Sequence, residues 1–157
     1  MRNSFTIICL FAITSCFAQG KKDIKKNKIT SITVTESAGG KTINDSKVTY
    51  DANGEIIEKS EYTKEGVLKK TTKYKLNNLG DVVEEEEWDE KNTLKEKTQI
   101  KYNALGDKKE ELVYDNSNKL IKKQVYVYDA KGLKTERKTL DASGKLISSK
   151  KYTYTYK

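Results

Sequence analysis

Turn motifs recur along this chain at spacings that alternate strictly between 14 and 12 residues, so that one unit is 26 residues long. In Asp51–Gly54 and Asp129–Gly132, for example, an Asp residue opens the motif and Gly closes it. A type I turn favours this order, because the Asp side chain bonds the backbone ahead and Gly adopts the left-handed conformation. Asn tolerates that conformation as well. The closing residues are Gly40, Gly54, Gly66, Gly80, Asn92, Gly106, Asn118, Gly132 and Gly144.

The stretches between the turns have the length and composition of β-strands. They run to about ten and about eight residues alternately, which are ordinary strand lengths. Val, Ile, Thr and Tyr, which favour strands, are common in them. Because tight turns join consecutive strands, the strands must run antiparallel. The sequence therefore predicts an all-β domain over residues 29–157, an antiparallel β-meander of tandem 26-residue hairpin repeats. About ten strands would form a single extended or coiled sheet.

The first residues differ in kind from the repeats. Arg2 precedes an apolar run over 5–13 that ends in small residues, which is typical of a secretory signal peptide over 1–18. Two processing routes stay open: cleavage after Ala18, or lipidation of Cys16, because residues 13–16 resemble a lipoprotein box. We expect an exported protein, periplasmic, outer-surface or secreted, that meets a membrane only through such a lipid. The lysine-rich residues 19–28 predict a solvated basic linker.

The turn type suggests a register, and the register predicts two different faces. If the leading Asx pairs with the residue after Gly, alternate residues of both strands share a face. One face then becomes an aromatic ligand surface beside a row of leucines (Leu68, Leu94, Leu120, Leu146), and its aromatic residues are Tyr62, Tyr74, Trp88, Tyr102, Tyr114, Tyr126 and Tyr128. The opposite face is expected to hold lysines such as Lys73 and Lys97, together with Glu61, Glu85, Glu87 and Glu111. A recurrent acidic row is expected to interrupt the aromatic face: Glu58, Glu84, Glu110 and Glu136.

Composition argues against most chemistry. The chain has no His, which is the usual general base at neutral pH and the commonest metal ligand. After the leader it shows no nucleophile–base pair, Gly-rich phosphate loop or Cys/His metal spacing, so we predict no enzyme, metal or cofactor. The net charge of +8 comes from 31 basic residues interleaved with 23 acidic ones, so we expect no nucleic-acid partner.

Two less favoured functions remain open on sequence grounds. A carboxylate-based glycan hydrolase would need a pocket that shifts the pKa of its acidic residues, which a flat sheet does not supply. A transmembrane β-barrel would place Lys70 and Glu84 at mid-strand in lipid, at a cost of several kcal/mol each.

Some motifs resemble a known family. The phrases Tyr50–Gly54 and Tyr128–Leu133, with the lead-in Tyr126–Asp129, resemble RHS/YD repeats, the Tyr-Asp-x-x-Gly units of large secreted bacterial shell proteins. The likeness covers roughly residues 41–156. It implies a β-meander of hairpins in a surface or secreted protein, and it implies no catalytic residue.

We therefore expect a non-enzymatic binding or scaffolding module of the cell envelope or the extracellular space. Tyr and Trp on a rigid sheet would stack on the sugar rings of a glycan or on an envelope protein. A purely structural role, with tyrosines and leucines burying one another, is the alternative. Self-association is a further possibility, because the edges at 29–36 and in the last strand carry few charges.

Overall fold

The structure is a computed structural model that describes residues 21–38 and 40–156. The predicted signal peptide over 1–18, with Cys16, lies outside these residues, as does the start of the predicted linker. The described elements are α1 (Lys21–Lys26), β1 (Ser31–Ala38), β2 (Lys41–Tyr50), β3 (Ile56–Tyr62), β4 (Leu68–Leu76), β5 (Val82–Asp89), β6 (Leu94–Tyr102), β7 (Lys108–Asp115), β8 (Leu120–Tyr128), β9 (Lys134–Asp141) and β10 (Leu146–Lys151). All ten strands form one open antiparallel sheet in chain order, which confirms the predicted all-β meander.

The turns have the predicted chemistry. At the turn between β6 and β7 the Asn103 side-chain oxygen accepts the N–H groups of Leu105 and Asp107, each at 2.9 Å. The Gly106 N–H closes the turn on the Asn103 carbonyl at 3.1 Å. Asn92 and Asn118 replace Gly at φ of 57° and 61°, so the substitution follows the backbone requirement.

A β-bulge lies near the start of every strand from β3 to β10, just after the turn that precedes the strand. In each of these ladders the register moves by one at the start of the later strand. The residue skipped is always the second of its strand: Ile57, Lys69, Val83, Lys95, Lys109, Ile121, Thr135 and Ile147. A bulge places two residues opposite one, so the alternation of faces restarts just after it.

The bulges overturn the predicted distribution of aromatic residues. Tyr74 lies opposite Glu85, and Ile100 lies opposite Glu111. We call this side the tyrosine face; it carries Tyr74, Tyr102, Tyr126 and Tyr128 together with Glu61, Glu85, Glu87 and Glu111. The other side, the lysine face, carries Lys73, Lys75, Lys97 and Lys101 with Tyr62, Trp88, Tyr114, Glu58, Glu84, Glu110 and Glu136. The single aromatic face was wrong, as was the side assigned to each row of glutamates.

The predicted linker is also wrong in part, because residues 21–26 form a docked helix. Ile24 of α1 is buried against Val48 and Tyr50, with Ile29 and Ile32 beside them. This small cluster covers the tyrosine face at the β1–β2 end of the sheet. No helix in the described part of the chain is long and apolar enough to cross a membrane.

The rest of the sheet is a single layer with few fully buried side chains. Away from α1, Ile100 and Val113 of the tyrosine face are the buried hydrophobic residues among those described. Ser60 is buried on the lysine face, where its hydroxyl lies 3.3 Å from that of Thr71. Most other strand residues are half-buried, so neighbouring long side chains shield one another, and no second layer formed by residues 21–38 or 40–156 covers them.

Candidate ligand surface

Tyrosine hydroxyls tie the ends of successive hairpins together on the tyrosine face. The Tyr102 hydroxyl donates to the Val82 carbonyl at 2.7 Å, and that of Tyr128 donates to the Lys108 carbonyl at 2.8 Å. Tyr154 makes the same bond to Lys134 at 2.8 Å. Each bond spans 20 residues and ends at the start of the preceding strand; Tyr102 and Tyr128 are the last residues of β6 and β8, and Tyr154 follows β10. These hydroxyls are therefore occupied by the backbone, which gives their residues a structural role.

A shallow cavity of about 240 Å³ opens on the tyrosine face where β3, β4, β5 and β6 lie side by side. Its aromatic residue is Tyr74, on β4. Charged and hydroxyl side chains surround this ring, and the cavity is lined by Lys59, Glu61, Lys70, Thr72, Tyr74, Glu85, Glu87, Glu96 and Thr98. Of the seven aromatic residues predicted for the ligand surface, only Tyr74 lines this cavity.

Two ion pairs fix the walls of the cavity. Lys59 lies 2.9 Å from Glu61 within β3, and Lys70 lies 2.8 Å from Glu87 across β4 and β5. The hydrogen bond that Lys70 donates to Glu87 raises the pKa of Lys70, so this ammonium remains charged. Across residues 21–38 and 40–156, no group of three acidic side chains is arranged to hold a metal ion.

Glu85 differs from the other cavity carboxylates. Burial raises its pKa, and the nearby negative charge of Glu111 adds to this effect, whereas Lys108 opposes it. Tyr74 lies directly opposite Glu85 in the ladder. Burial raises the pKa of the Tyr74 hydroxyl, and the charge of Glu85 raises it further. The cavity thus presents a neutral phenol next to a partly desolvated carboxylate, which together supply a hydrogen-bond donor and acceptors.

The second half of the tyrosine face is already internally bonded. The Tyr126 hydroxyl donates to Glu111 at 2.8 Å, and Lys108 pairs with the same carboxylate at 3.0 Å. Burial and this hydrogen bond raise the pKa of Tyr126 well above its ordinary value. The Lys134 ammonium lies 4.8 Å from the centre of the Tyr126 ring. Contacts within the protein therefore occupy Tyr126, whereas Tyr74 borders open space.

Trp88 and Tyr114, on the lysine face, lie under lysine side chains. The Lys73 ammonium is 4.9 Å from the centre of the Trp88 ring, and Lys97 is 5.4 Å from that of Tyr114. The Trp88 indole N–H donates to Glu86 at 3.3 Å. Such cation–π contacts are worth about 0.5–1 kcal/mol at exposed sites. Tyr62 shares this face at the end of β3, so the seven predicted residues do not form one surface.

Two members of the recurrent acidic row, Glu84 and Glu110, pair with lysines of neighbouring strands. Glu84 accepts from Lys75, and Glu110 accepts from Lys123 and, at 3.0 Å, from Lys101. These hydrogen bonds lower the pKa of both carboxylates, and a bond from the Ser149 hydroxyl lowers that of Glu136. Glu84, Glu110 and Glu136 are therefore ionised at neutral pH.

Sequence reasoning missed the cavity and the role of Glu85. The signal was present in the turns, because a Gly-closed turn is often followed by a bulge that shifts the register. A register shifted by one residue after each turn would have brought Tyr74 and Glu85 together.

The fold and its surfaces define a single-layer β-repeat protein. No protein-family model matches the chain, and no curated protein matches it significantly. A protein of unknown function from Bacteroides fragilis is similar in structure, with a TM-score of 0.41 and 16% identity over 81% of this chain and 96% of its own. A porin-like protein from Bacteroides uniformis has a TM-score of 0.33 and 10% identity, over 75% of this chain and 74% of its own. An S. aureus TarM mutant has a TM-score of 0.31 and 16% identity; the match covers 83% of this chain but 23% of TarM.

Proposed function

We propose that this protein is an exported, non-enzymatic binding module whose ligand site is the cavity between β3 and β6. The observation that carries the proposal is the Tyr74 ring, which borders a cavity lined by Lys70, Glu85 and Thr98. Binding sites commonly combine an aromatic surface with a few convergent polar groups. A sugar ring needs this combination, because its C–H face stacks on an aromatic ring while its hydroxyls exchange hydrogen bonds. The proposed ligand is a glycan of the cell envelope.

The proposed location rests on the sequence. The pattern of residues 1–18 favours export, with cleavage after Ala18 or lipidation of Cys16 as its two outcomes. The resemblance to RHS/YD repeats favours the same surroundings. Intact-mass measurement of the protein recovered from bacterial envelope fractions distinguishes the two, because a lipidated N-terminus adds acyl mass to a chain that begins at Cys16.

The paired carboxylates favour binding over catalysis. A glycan hydrolase needs one protonated carboxylic acid as general acid. Glu84 and Glu110 have lowered pKa values because lysines bond them. Glu85 has a raised pKa, but its neighbour on the tyrosine face, Glu111, is occupied by Lys108 and Tyr126. Saturable glycan hydrolysis that is lost in Glu84→Gln or Glu85→Gln would overturn this part of the proposal.

The decisive experiment compares the two faces of the sheet. The purified protein is screened against glycans and envelope fractions, and each hit is measured again with Tyr74→Ala and Trp88→Ala. We expect Tyr74→Ala to weaken binding about tenfold, which corresponds to an aromatic contact of about 1.4 kcal/mol. Trp88→Ala, a matched aromatic deletion on the lysine face, should bind as the parent does. Thermal unfolding of both variants checks that they are folded, and equal loss in both would refute the cavity as the site.

A structural role is the second candidate, and the tyrosine–carbonyl bonds of Tyr102, Tyr128 and Tyr154 favour it. These side chains hold neighbouring hairpins at a fixed spacing, which is what a spacer or scaffold requires. If no glycan or envelope fraction binds the parent protein, the tyrosine face serves the fold alone.

A further inference from the structure

The two ends of the sheet differ in how they are covered. At the β1 end, α1 packs on the tyrosine face and buries Ile24. At the other end, in the part of the chain that the structure describes, β10 pairs with β9 and has no neighbour on its outer side. Every residue of β10 is exposed. Natural sheets usually shield such an edge, because its free N–H and C=O groups accept another strand.

Exposed apolar side chains concentrate at this second edge. Leu146 and Ile147 are 54% and 60% exposed, and three tyrosines that follow, Tyr152, Tyr154 and Tyr156, are 37%, 42% and 65% exposed. At the other edge, β1 contributes no large exposed hydrophobic residue, and half of its residues are Ser or Thr. An apolar row along an open edge marks an interaction site.

We propose that β10 and residues 152–156 pair antiparallel with the same segment of a second copy of this chain. The two copies would be related by a two-fold axis and would form one continuous sheet of twenty strands. The argument for a second copy is that the edge matches itself: with the two-fold axis at Tyr152, that ring lies beside its own copy and each Lys150 lies beside Tyr154 of the second copy. Pairing of β10 with β1 of another copy would instead set this row beside Ile32, on the face that α1 already covers, and would generate an open filament.

The backbone restricts the register of this pair. The Tyr152 N–H donates to the Thr135 carbonyl at 3.0 Å, so even-numbered residues here direct their backbone groups toward β9. With this alternation continued through Tyr156, the outward groups belong to odd-numbered residues such as Lys151 and Thr153. In a symmetric pair, an odd-numbered residue of one copy must therefore lie opposite an odd-numbered residue of the other. This condition holds only when the two-fold axis passes through a residue position and not between two positions.

Charge then selects among the allowed positions. An axis at position 150 or 151 would place Lys150 or Lys151 directly opposite its own copy, and like charges opposite one another are destabilising. An axis at Tyr152 instead places Lys150 opposite Tyr154 and Lys151 opposite Thr153. Lys–Tyr contacts already occur beside this edge, where Lys134 lies 5.7 Å from the centre of the Tyr152 ring. Within residues 146–156, this register also gives the longest overlap among those without opposed lysines.

Sedimentation equilibrium of the full chain tests the edge, with matched proline substitutions at both ends of the sheet. Proline at an outward position removes a donor to the second copy and leaves the bonds to the neighbouring strand intact. We expect a dimer with about twice the chain mass for the parent and for Thr33→Pro, on the free edge of β1. Thr153→Pro should be a monomer that keeps the circular dichroism spectrum of the parent.

Disulfide trapping tests the register. The native cysteines are first removed with Cys9→Ser and Cys16→Ser. In this background, Tyr152→Cys should give a covalent dimer on mild oxidation, because residue 152 lies beside its own copy. Ser149→Cys should not, because residue 149 would face residue 155. A monomeric parent throughout the micromolar range overturns the proposal, as does a Thr153→Pro dimer. Loss of association in Thr33→Pro would show head-to-tail pairing through β1 instead. Efficient trapping at 149 but not at 152 refutes the register.

Discussion

Gly54 connects the turn after β2 to helix α1, and its replacement by alanine tests whether the helix is part of the fold. A Cβ atom on Gly54 would lie 3.0 Å from the Lys21 carbonyl oxygen and 3.4 Å from the Ile24 Cγ2 atom. Gly106 is the matched control, because it has almost the same conformation, φ of 85° against 79°, and its Cβ would meet nothing within 4 Å. The two substitutions therefore differ only in the contact with α1.

The magnitudes follow from two separate costs. Alanine in the left-handed conformation costs about 1–2 kcal/mol at either site, so Gly106→Ala measures this strain alone. At Gly54 the helix must also shift or detach, and detachment exposes Ile24, whose burial is worth about 1.5–3 kcal/mol. We expect Gly54→Ala to lower the free energy of unfolding by up to about 3 kcal/mol more than Gly106→Ala does.

Limited trypsin digestion with mass spectrometry provides a local assay, since Lys25, Lys26 and Lys28 lie in and just after the helix. We expect faster cleavage at these lysines in Gly54→Ala than in the parent, and unchanged cleavage in Gly106→Ala. Urea unfolding of the same samples supplies the free energies. Equal destabilisation by the two substitutions, with equal cleavage rates, would refute the view that α1 docks on this turn.

Three further predictions concern the sheet itself. Tyr128→Phe removes one hydrogen bond and keeps the ring, so we expect a loss of about 0.5–1.5 kcal/mol in urea unfolding; no change would mean that water replaces the bond. Leu76 ends β4 at the position that Tyr102 and Tyr128 occupy in β6 and β8, so Leu76→Tyr adds the missing hydroxyl. We expect it to stabilise the protein by a similar amount and to raise the melting temperature; a lower melting temperature would refute this. The Glu110 pKa is lowered in the folded state, so the stabilising effect of this carboxylate is present above about pH 4.3 and is lost as the pH falls further. Below about pH 5, the free energy of unfolding of Glu110→Gln should therefore depend less on pH than that of the parent. Identical slopes of unfolding free energy against pH would contradict this.

The strands and turns were predictable because their signals are local. An Asx residue bonds its own turn, and Gly or Asn closes the turn, so the requirement is complete within four residues. The structure confirms this at Asn103–Gly106 and at Asn118, where Asn takes the left-handed conformation. The 26-residue repeat then extended each local signal along the whole array.

The faces were not predictable in the same way, because a bulge leaves little trace in composition. The run Glu84–Glu87 places two glutamates on each side whichever register is chosen, so it could not reveal the shift at Val83. Simple alternation from Val82 placed Trp88 on the same face as Tyr74, whereas the bulge at Val83 puts it on the lysine face. Helix α1 escaped prediction for another reason: Ile24 is its only apolar residue, and its partners Val48 and Tyr50 lie far along the chain.

The single-layer architecture determines how far the effect of each substitution should reach. Each strand contacts only the strands before and after it in sequence, so stability is close to a sum of hairpin and nearest-neighbour contributions. A change at Gly54 should therefore loosen the β1–β3 end, and a change at Tyr128 should loosen the region around β7 and β8. In such an array the end strands are held on one side only, and α1 compensates for this at β1. Because no described element compensates at β10, a partner strand there would remove the weakest end of the sheet, and hydrogen exchange in β9 and β10 should slow as the protein concentration rises.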